Sequence, residues 1–439
     1  MATKTAIAAG EEEVVVPELA PANKQKKSRK PKSKRGKNKP TGFEEYYVDT
    51  PITAEEYEFE LDLYDTSRPI VHRVEEALLR FNKNRRIEPD RLEVFQKYLK
   101  YGGIDVSPKM FAGTEDRDLK NLDNDEILLA RGQTAINKEY SRLEIDFDAV
   151  VKGFLTSFFP FYFNPTDLNM IQLATVTIRS FLSYLLYHDV CPEYKENIHA
   201  ARNSCDIATT QLWKNQLLTA NGPGYFNTAC SILFGGLEHE IYTENRGWVN
   251  PKDEMVRMDK RMAQKVIRFG LGVAGTDELA TSFHEMFNSN TLKATKLEDI
   301  DGFEVEEVRF LDEDQRKFYH DQAPDLHPVG ILLGKTYSDP GEPGYDLSPE
   351  EREEWNINGR IQQDLIFFVE ESLLEHCYPG MKIIAHVWDL GCGFQYLEEI
   401  IKVYCSIYTP LANELMIGWK KPRDLTVKDE DHSDAEDSE

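Results

Sequence analysis

Tyr194-Lys-Glu-Asn-Ile-His-Ala-Ala-Arg-Asn-Ser-Cys-Asp-Ile-Ala-Thr-Thr-Gln-Leu212 sets Tyr194, Ile198, Ala201, Cys205, Ala208 and Leu212 at steps of three and four. That spacing puts all six on one face of an α-helix. The helix is expected to end before the breaker Asn221-Gly222-Pro223-Gly224. Working back, Asn164-Pro165 reads as cap and first turn of a helix carrying Leu168, Ile171, Ile178, Phe181 and Leu185. Ser67 reads as the cap of a helix with Val71, Val74, Leu78 and Phe81 on one face, and Asp90 to Tyr101 as another, stopped by Gly102-Gly103. Working forward, two or three helices run to about Asn288, one presenting Met255, Met258, Met262, Val266 and Phe269.

After about Thr291 the period changes. Phe303-Glu-Val-Glu-Glu-Val-Arg-Phe310 alternates roughly in twos, as a half-buried strand does. Val329-Gly-Ile-Leu-Leu333 and Met381-Lys-Ile-Ile-Ala-His-Val-Trp388 are further strands, separated by a Pro- and Gly-rich loop at 338–349. The expected fold is α+β and mainly α. It comprises a disordered basic arm (1–40), a helical part (41–290), a smaller mixed part (291–426) and a disordered acidic tail (427–439). No internal repeat is visible.

Apolar residues make up 41% of the 439 residues, enough to bury a large core outside the tails. There is no early apolar run of secretory type and no uninterrupted apolar stretch of membrane-spanning length, so a soluble intracellular chain is expected. The cysteines at 191, 205, 230, 377, 392 and 405 are widely and irregularly spaced, as reduced core residues are and zinc ligands or a disulfide framework are not. Cys377, His386 and Cys392 are the closest approach to a ligand set, and they lack paired spacing. The net charge of −25 is uneven: Lys24 to Lys39 holds ten Lys/Arg and no acid, leaving 42 basic against 77 acidic residues elsewhere. A body this acidic repels a nucleic-acid backbone, so direct contact with RNA or DNA falls to the arm.

Three stretches imitate catalytic or nucleotide-binding motifs. Gly270-Leu-Gly272-Val-Ala-Gly275 has dinucleotide-loop spacing, but helical periodicity precedes it where a strand is needed; a helix–turn–helix junction is the ordinary reading. Gly330-Ile-Leu-Leu-Gly334-Lys335-Thr336 is one residue short of a phosphate-binding loop, and a turn follows where the helix should begin. Trp388-Asp389-Leu-Gly391-Cys-Gly393 resembles the first motif of S-adenosylmethionine-dependent methyltransferases, with 46 residues left for the remaining sheet. Neither His239-Glu240 nor His284-Glu285 extends to His-Glu-x-x-His, and no Gly-x-Ser-x-Gly elbow occurs. No catalytic residue, metal site or cofactor is therefore expected.

The basic tract, centred on Lys26, Lys27, Arg29, Lys30, Lys32, Lys34, Arg35 and Lys37, suits a nuclear-import receptor. It also suits a phosphate-binding arm, though without aromatics for base stacking. Import is favoured, which expects a nuclear protein beside a cytoplasmic pool. Trp248 and Trp419, each preceded by glycine, match the Gly-Trp elements that dock into Argonaute pockets; apolar neighbours favour core tryptophans instead. Ser433 and Ser438 sit among acids that acidophilic kinases favour.

Several strings carry a family signature. These are Lys37-Asn-Lys-Pro-Thr-Gly-Phe-Glu-Glu-Tyr-Tyr47, Leu63-Tyr-Asp-Thr-Ser-Arg-Pro69, Arg85-Arg-Ile-Glu88, Lys97-Tyr-Leu-Lys-Tyr-Gly-Gly-Ile-Asp105, Leu128-Leu-Ala-Arg-Gly-Gln133, Tyr187-His-Asp-Val-Cys-Pro-Glu-Tyr194 and Tyr408-Thr-Pro-Leu-Ala-Asn-Glu-Leu-Met416. From about Lys37 to Arg423 the chain resembles the Argonaute-binding subunit family of the fungal Argonaute siRNA chaperone complex. The resemblance implies a non-catalytic subunit that binds Argonaute with a second Argonaute-binding subunit while the small RNA is still double-stranded. It further implies restraint of passenger-strand cleavage or release, support of RNA interference and heterochromatin histone methylation, and RNA contact mainly through Argonaute. It assigns no contact residues. Direct nucleic-acid binding through the arm and, more remotely, a methyltransferase using Asp389, Gly391 and Gly393 are the alternatives.

Overall fold

A computed structural model describes residues 40–44, 53–104, 106, 145–237, 239, 258–298, 300–338 and 363–410. Both tails expected to be disordered, and the Pro- and Gly-rich loop beyond Ser338, lie outside the described residues. The fold is α+β with helices in the majority, as the periodicities predict.

The helical part opens with α1 (Ala54–Leu63), α2 (Ile70–Asn84) and α3 (Pro89–Tyr101). Ser67 does not cap α2. Its N–H bonds Asp65 Oδ1 at 2.7 Å in a turn, and Pro69 occupies the cap position. Proline drives the preceding Arg68 out of the helical region, so the helix cannot begin earlier. Next, α4 (Phe147–Gly153) runs through a π-helical turn, Phe154–Phe158, into α5 (Phe159–Phe163). Asn164 ends α5 instead of starting a helix: it takes a left-handed φ of 42°, with its N–H on Pro160 O at 3.1 Å. Asparagine tolerates that conformation, and a proline just beyond it is a common helix stop. The following helix, α6 (Leu168–Tyr187), is capped by Asp167, which accepts from Met170 N–H at 2.7 Å.

The opening stretch forms α7 (Lys195–Asn221), and its predicted stripe is buried from Ile198 to Leu212, while Tyr194 precedes the helix and is half-buried. It pairs with α6, where the Thr209 hydroxyl donates to Thr175 Oγ1 at 2.8 Å. Phe81, Phe95, Phe181 and Tyr184 meet edge-on or tilted in this core, with ring centroids 5.3–5.5 Å apart.

Beyond α7 come α8 (Tyr225–Phe234), α9 (Lys260–Ala274) and α10 (Asp277–Asn288). The methionine stripe is out of phase with α9. Asp259 caps the helix, Ala263, Val266, Ile267, Gly270 and Leu271 form its buried face, Met262 points to solvent, and Met255 lies outside the described residues. Of the predicted face residues that are described, Val266 is buried in the core and Met258 packs against it.

The strands are β1 (Thr295–Lys296), β2 (Gly302–Arg309), β3 (Val329–Tyr337), β4 (Asp364–Glu370), β5 (Lys382–Asp389) and β6 (Gln395–Tyr404). Helix α11 (Glu313–Gln322) connects β2 to β3, and the single turn α12 (Glu371–Leu374) follows β4. Pairing runs β5–β2–β3–β4–β6 and back to β5, which closes five strands into a barrel; β1 adds to β5 alone. The β4–β6 contact is parallel and reduced to one pair, Phe367 with Gln395, while the other pairs are antiparallel. This connectivity is that of the five-stranded, partly open Greek-key barrels of OB type.

Phe303, Val305, Leu332, Leu365, Phe367, Ile383, Ala385, Val387 and Leu397 fill the barrel, and Leu373, Leu374 and Met381 plug one end. Leu218 of α7 belongs to this second core, so α7 begins in the helical core and ends in the barrel. On the way Gln211 bonds both the N–H and the hydroxyl of Ser406, and Asn215 Oδ1 accepts from Tyr378 OH at 2.6 Å.

Candidate functional site

The barrel accounts for two of the three imitated motifs. Gly330 and Gly334 stand within β3, where an added Cβ would come within 2.5 Å of Arg309 O and 2.8 Å of Phe303. These glycines make room for the barrel filling and cradle no phosphate. Asp389 to Gly393 form the turn between β5 and β6, which pair antiparallel with Asp389 opposite Gln395. A methyltransferase needs a strand, a glycine loop and then a helix at this place. Here a strand follows in antiparallel pairing and Asp389 Oδ1 accepts from Gly391 N–H (3.2 Å) and Gln395 Nε2 (3.0 Å), so Asp389, Gly391 and Gly393 do not form a methyltransferase loop. Gly270 and Gly272 lie inside α9, and Gly275 ends it before Thr276 caps α10. Phe226 fills the place a Cβ would take at Gly270, 2.9 Å away.

All six cysteines are buried free thiols, and burial pushes every one of them upward, Cys392 to about 11 and Cys377 to about 12. An activated nucleophile needs the opposite shift. Among the described residues no group of three or more His, Cys, Asp or Glu could hold a metal ion, and no helix is long and apolar enough to cross a membrane.

In OB-type barrels the second and third strands, here β3 and β4, carry oligonucleotides on their outer face. That face is covered. Ile331, Ile366 and Phe368 lie in a third core with Phe226, Ala229 and Cys230 of α8 and Ala263, Val266 and Ile267 of α9. Asn227 of α8 also enters the weak β4–β6 seam. Its Nδ2 donates to Phe368 O at 3.1 Å and its Oδ1 accepts from Leu397 N–H at 3.1 Å. Glu370, almost wholly buried at the first turn of α8, accepts from Phe226 N–H at 2.6 Å, and burial raises its carboxyl to about 7. At the other end Glu398 accepts from Ser231 Oγ (2.9 Å), Trp388 Nε1 (3.2 Å) and the backbone N–H of Leu237. Helix α8 is thus built into the barrel wall, and stacking bases would have to displace it.

The helical part is dressed differently. Helix α1 starts with a capping box, in which Thr53 Oγ1 accepts from Glu56 N–H (3.2 Å) and the Glu56 carboxylate accepts from Thr53 N–H (3.1 Å). Of its ten residues Glu60 alone is buried. It accepts from His188 Nδ1 at 3.0 Å and Arg80 Nη1 at 3.4 Å, while Arg80 also lies 5.0 Å from the Phe59 ring centroid. Tyr57, Phe59 and Leu61 are each more than half exposed. A second exposed aromatic group follows the π-turn: Phe161 is 86% exposed beside Tyr162, which stacks on Phe158 and carries Lys97 4.1 Å above its ring. Sequence reasoning singled out none of these. Their signal is the alternation Tyr57-Glu-Phe-Glu-Leu-Asp-Leu63. On a helix, period two scatters apolar side chains around the axis and forces some outward.

The basic tract from Lys26 to Lys37, Trp248, Trp419, Ser433 and Ser438 lie outside the described residues.

Residues 31–422 match the family model described as Argonaute siRNA chaperone (ARC) complex subunit Arb1. A curated relative, Argonaute-binding protein 1 of Schizosaccharomyces pombe, is 30% identical over 207 residues, 46% of this chain and 51% of the relative. The chain thus spans about half the length of that relative. No solved structure matches.

Proposed function

The chain belongs to the family of Argonaute siRNA chaperone complex subunit Arb1, and from that premise we propose that it is an Argonaute-binding, non-catalytic subunit of such a complex. The observation that carries this reading is the family match across residues 31–422, nearly the whole chain between its charged ends. The relative whose printed name is Argonaute-binding protein 1 supports the same partner. In this reading the subunit holds Argonaute together with a second Argonaute-binding subunit while the siRNA is still a duplex. It restrains cleavage or release of the passenger strand, and so supports RNA interference and heterochromatin histone methylation. The tract at Lys24–Lys39 carries it to the nucleus on an import receptor.

The acidic body favours protein over nucleic acid as the direct partner, because like charge keeps the phosphate backbone at a distance. The covered β3–β4 face of the barrel points the same way. A second role for the basic tract, as a phosphate-binding arm, rests on its ten cationic residues. It predicts RNA binding that weakens steeply with salt and disappears when the tract is deleted.

Affinity purification of the tagged full chain, with mass spectrometry of bound protein and end-labelling of bound RNA, tests the main reading. Argonaute carrying duplex small RNA is the expected result. Recovery of neither, from cells that contain both, would overturn it.

A further inference from the structure

Helix α1 combines three properties. An ion-pair cluster helps to hold it to the bundle, Tyr57, Phe59 and Leu61 stay more than half exposed, and half of its residues are acidic. At 100° per residue, Glu60, Leu63 and Tyr64 form the side turned to the bundle, with Leu63 and Tyr64 reaching the helical core. Tyr57 and Leu61, four residues apart, lie side by side on the next strip, 56% and 54% exposed. Glu58, Asp62 and Glu55 form the strip beyond, exposed and facing away from the bundle. No basic residue occurs in Ala54–Leu63.

A ten-residue helix in isolation is marginal, and packing of an apolar face normally stabilises it. Here Tyr57 and Leu61 stay outside the core, and the capping box, the Glu60–His188–Arg80 cluster and the contacts of Leu63 and Tyr64 at the C-terminal end hold the helix. Those are the features of a preformed recognition helix. An apolar i, i+4 pair enters a partner's groove, and an adjacent acidic row meets a basic rim.

We propose that α1 is the helix that docks this chain on Argonaute, with Tyr57 and Leu61 in an apolar groove and Glu55, Glu58 and Asp62 against its basic rim. The proposal rests on the Argonaute-binding reading above and adds the surface to it. Charge selects the occupant. A protein that holds the phosphates of a small RNA carries an excess of basic surface, whereas the body of a second copy of this chain, with 42 basic against 77 acidic residues outside the basic tract, would meet α1 with like charge.

The test compares full-length wild type with Tyr57→Ser/Leu61→Ser and with Glu58→Lys/Asp62→Lys, each tagged and expressed with Argonaute. Circular dichroism and thermal unfolding accompany each variant. The expected result is at least a tenfold loss of captured Argonaute in both variants, with unfolding temperatures unchanged because the altered side chains are exposed. A photo-crosslinking residue at position 57 should join the chain to Argonaute, which keeps the proposal testable if one double variant folds poorly. Wild-type levels of capture by folded variants, or a crosslink from position 57 to another subunit, to a second copy or within the chain, would overturn the docking helix and leave Argonaute binding standing. Failure of wild type itself to capture Argonaute would overturn both.

Discussion

The outer face of the barrel and the outer face of α1 treat similar side chains in opposite ways. On β3 and β4, Ile331, Ile366 and Phe368 are roofed by two helices of the same chain, and even the weak strand seam is filled by Asn227. On α1, Tyr57 and Leu61 have water above them, although the helix is capped and anchored. The contrast separates interior from interface. Where the chain supplies its own cover, apolar residues report stability; where it supplies a rigid support and no cover, they report a partner.

The contrast breaks most readily at its buried end. Phe226→Ala removes a ring that touches Phe368 and Phe394 and should cost about 4 kcal/mol in denaturant unfolding. A cost under about 1 kcal/mol would mean that α8 is not part of the barrel's core. Asn227→Ala leaves a buried carbonyl and a buried N–H without a partner at the β4–β6 seam and should cost about 3 kcal/mol.

Glu370 sharpens the contrast through pH. Its carboxyl is held near 7 in the fold against a reference of 4.5, so the folded state binds the proton more tightly. Well below 4.5 the group is neutral in both states and its contribution is fully present; as pH rises through 4.5 and then about 7 that contribution is lost, by about 3 kcal/mol in all. Glu370→Gln should abolish this slope, so the difference in stability between variant and wild type should grow from pH 5 to pH 8 in the variant's favour. A constant difference would mean that the carboxyl is not buried against α8.

At the exposed end the effects shrink. Thr53→Ala removes the capping box and should cost about 1 kcal/mol, read as faster hydrogen exchange in 54–63 with the barrel unaffected. Tyr57→Ser should change stability by less than about 0.5 kcal/mol. A larger loss would show that α1 is covered after all.

Much of the helical core is legible as period 3.6, because α6 and α7 bury one side and leave the other wet. Strand β5 reads equally well, since its inward residues Ile383, Ala385 and Val387 alternate with outward ones. Strand β4 escapes the same reading: Leu365-Ile-Phe-Phe-Val369 is apolar throughout because the barrel lies on one side and helices lie on the other. Barrel closure escapes it too, for β4 meets β6 across an intervening strand in sequence and one pair of residues joins them. Helix starts failed where a single proline decided them, at Pro69 and after Asn164. Helix α1 was hidden for another reason: its alternating acids and apolar residues have a strand's period, and the capping box at Thr53 decides for helix.

Helix α7 has one further implication. Over its 27 residues, roughly 40 Å of rigid rod, it begins among the side chains of one core and ends among those of another. A fragment cut anywhere along it therefore exposes apolar surface at the cut, and one cut at the change from helix to strand near Thr291 strips α8, α9 and α10 of the barrel they cover. Loss of binding in such deletions would report collapse of both halves at once. On this chain, interaction mapping by truncation will assign every partner to every segment, and point substitutions at exposed positions are the way to resolve them.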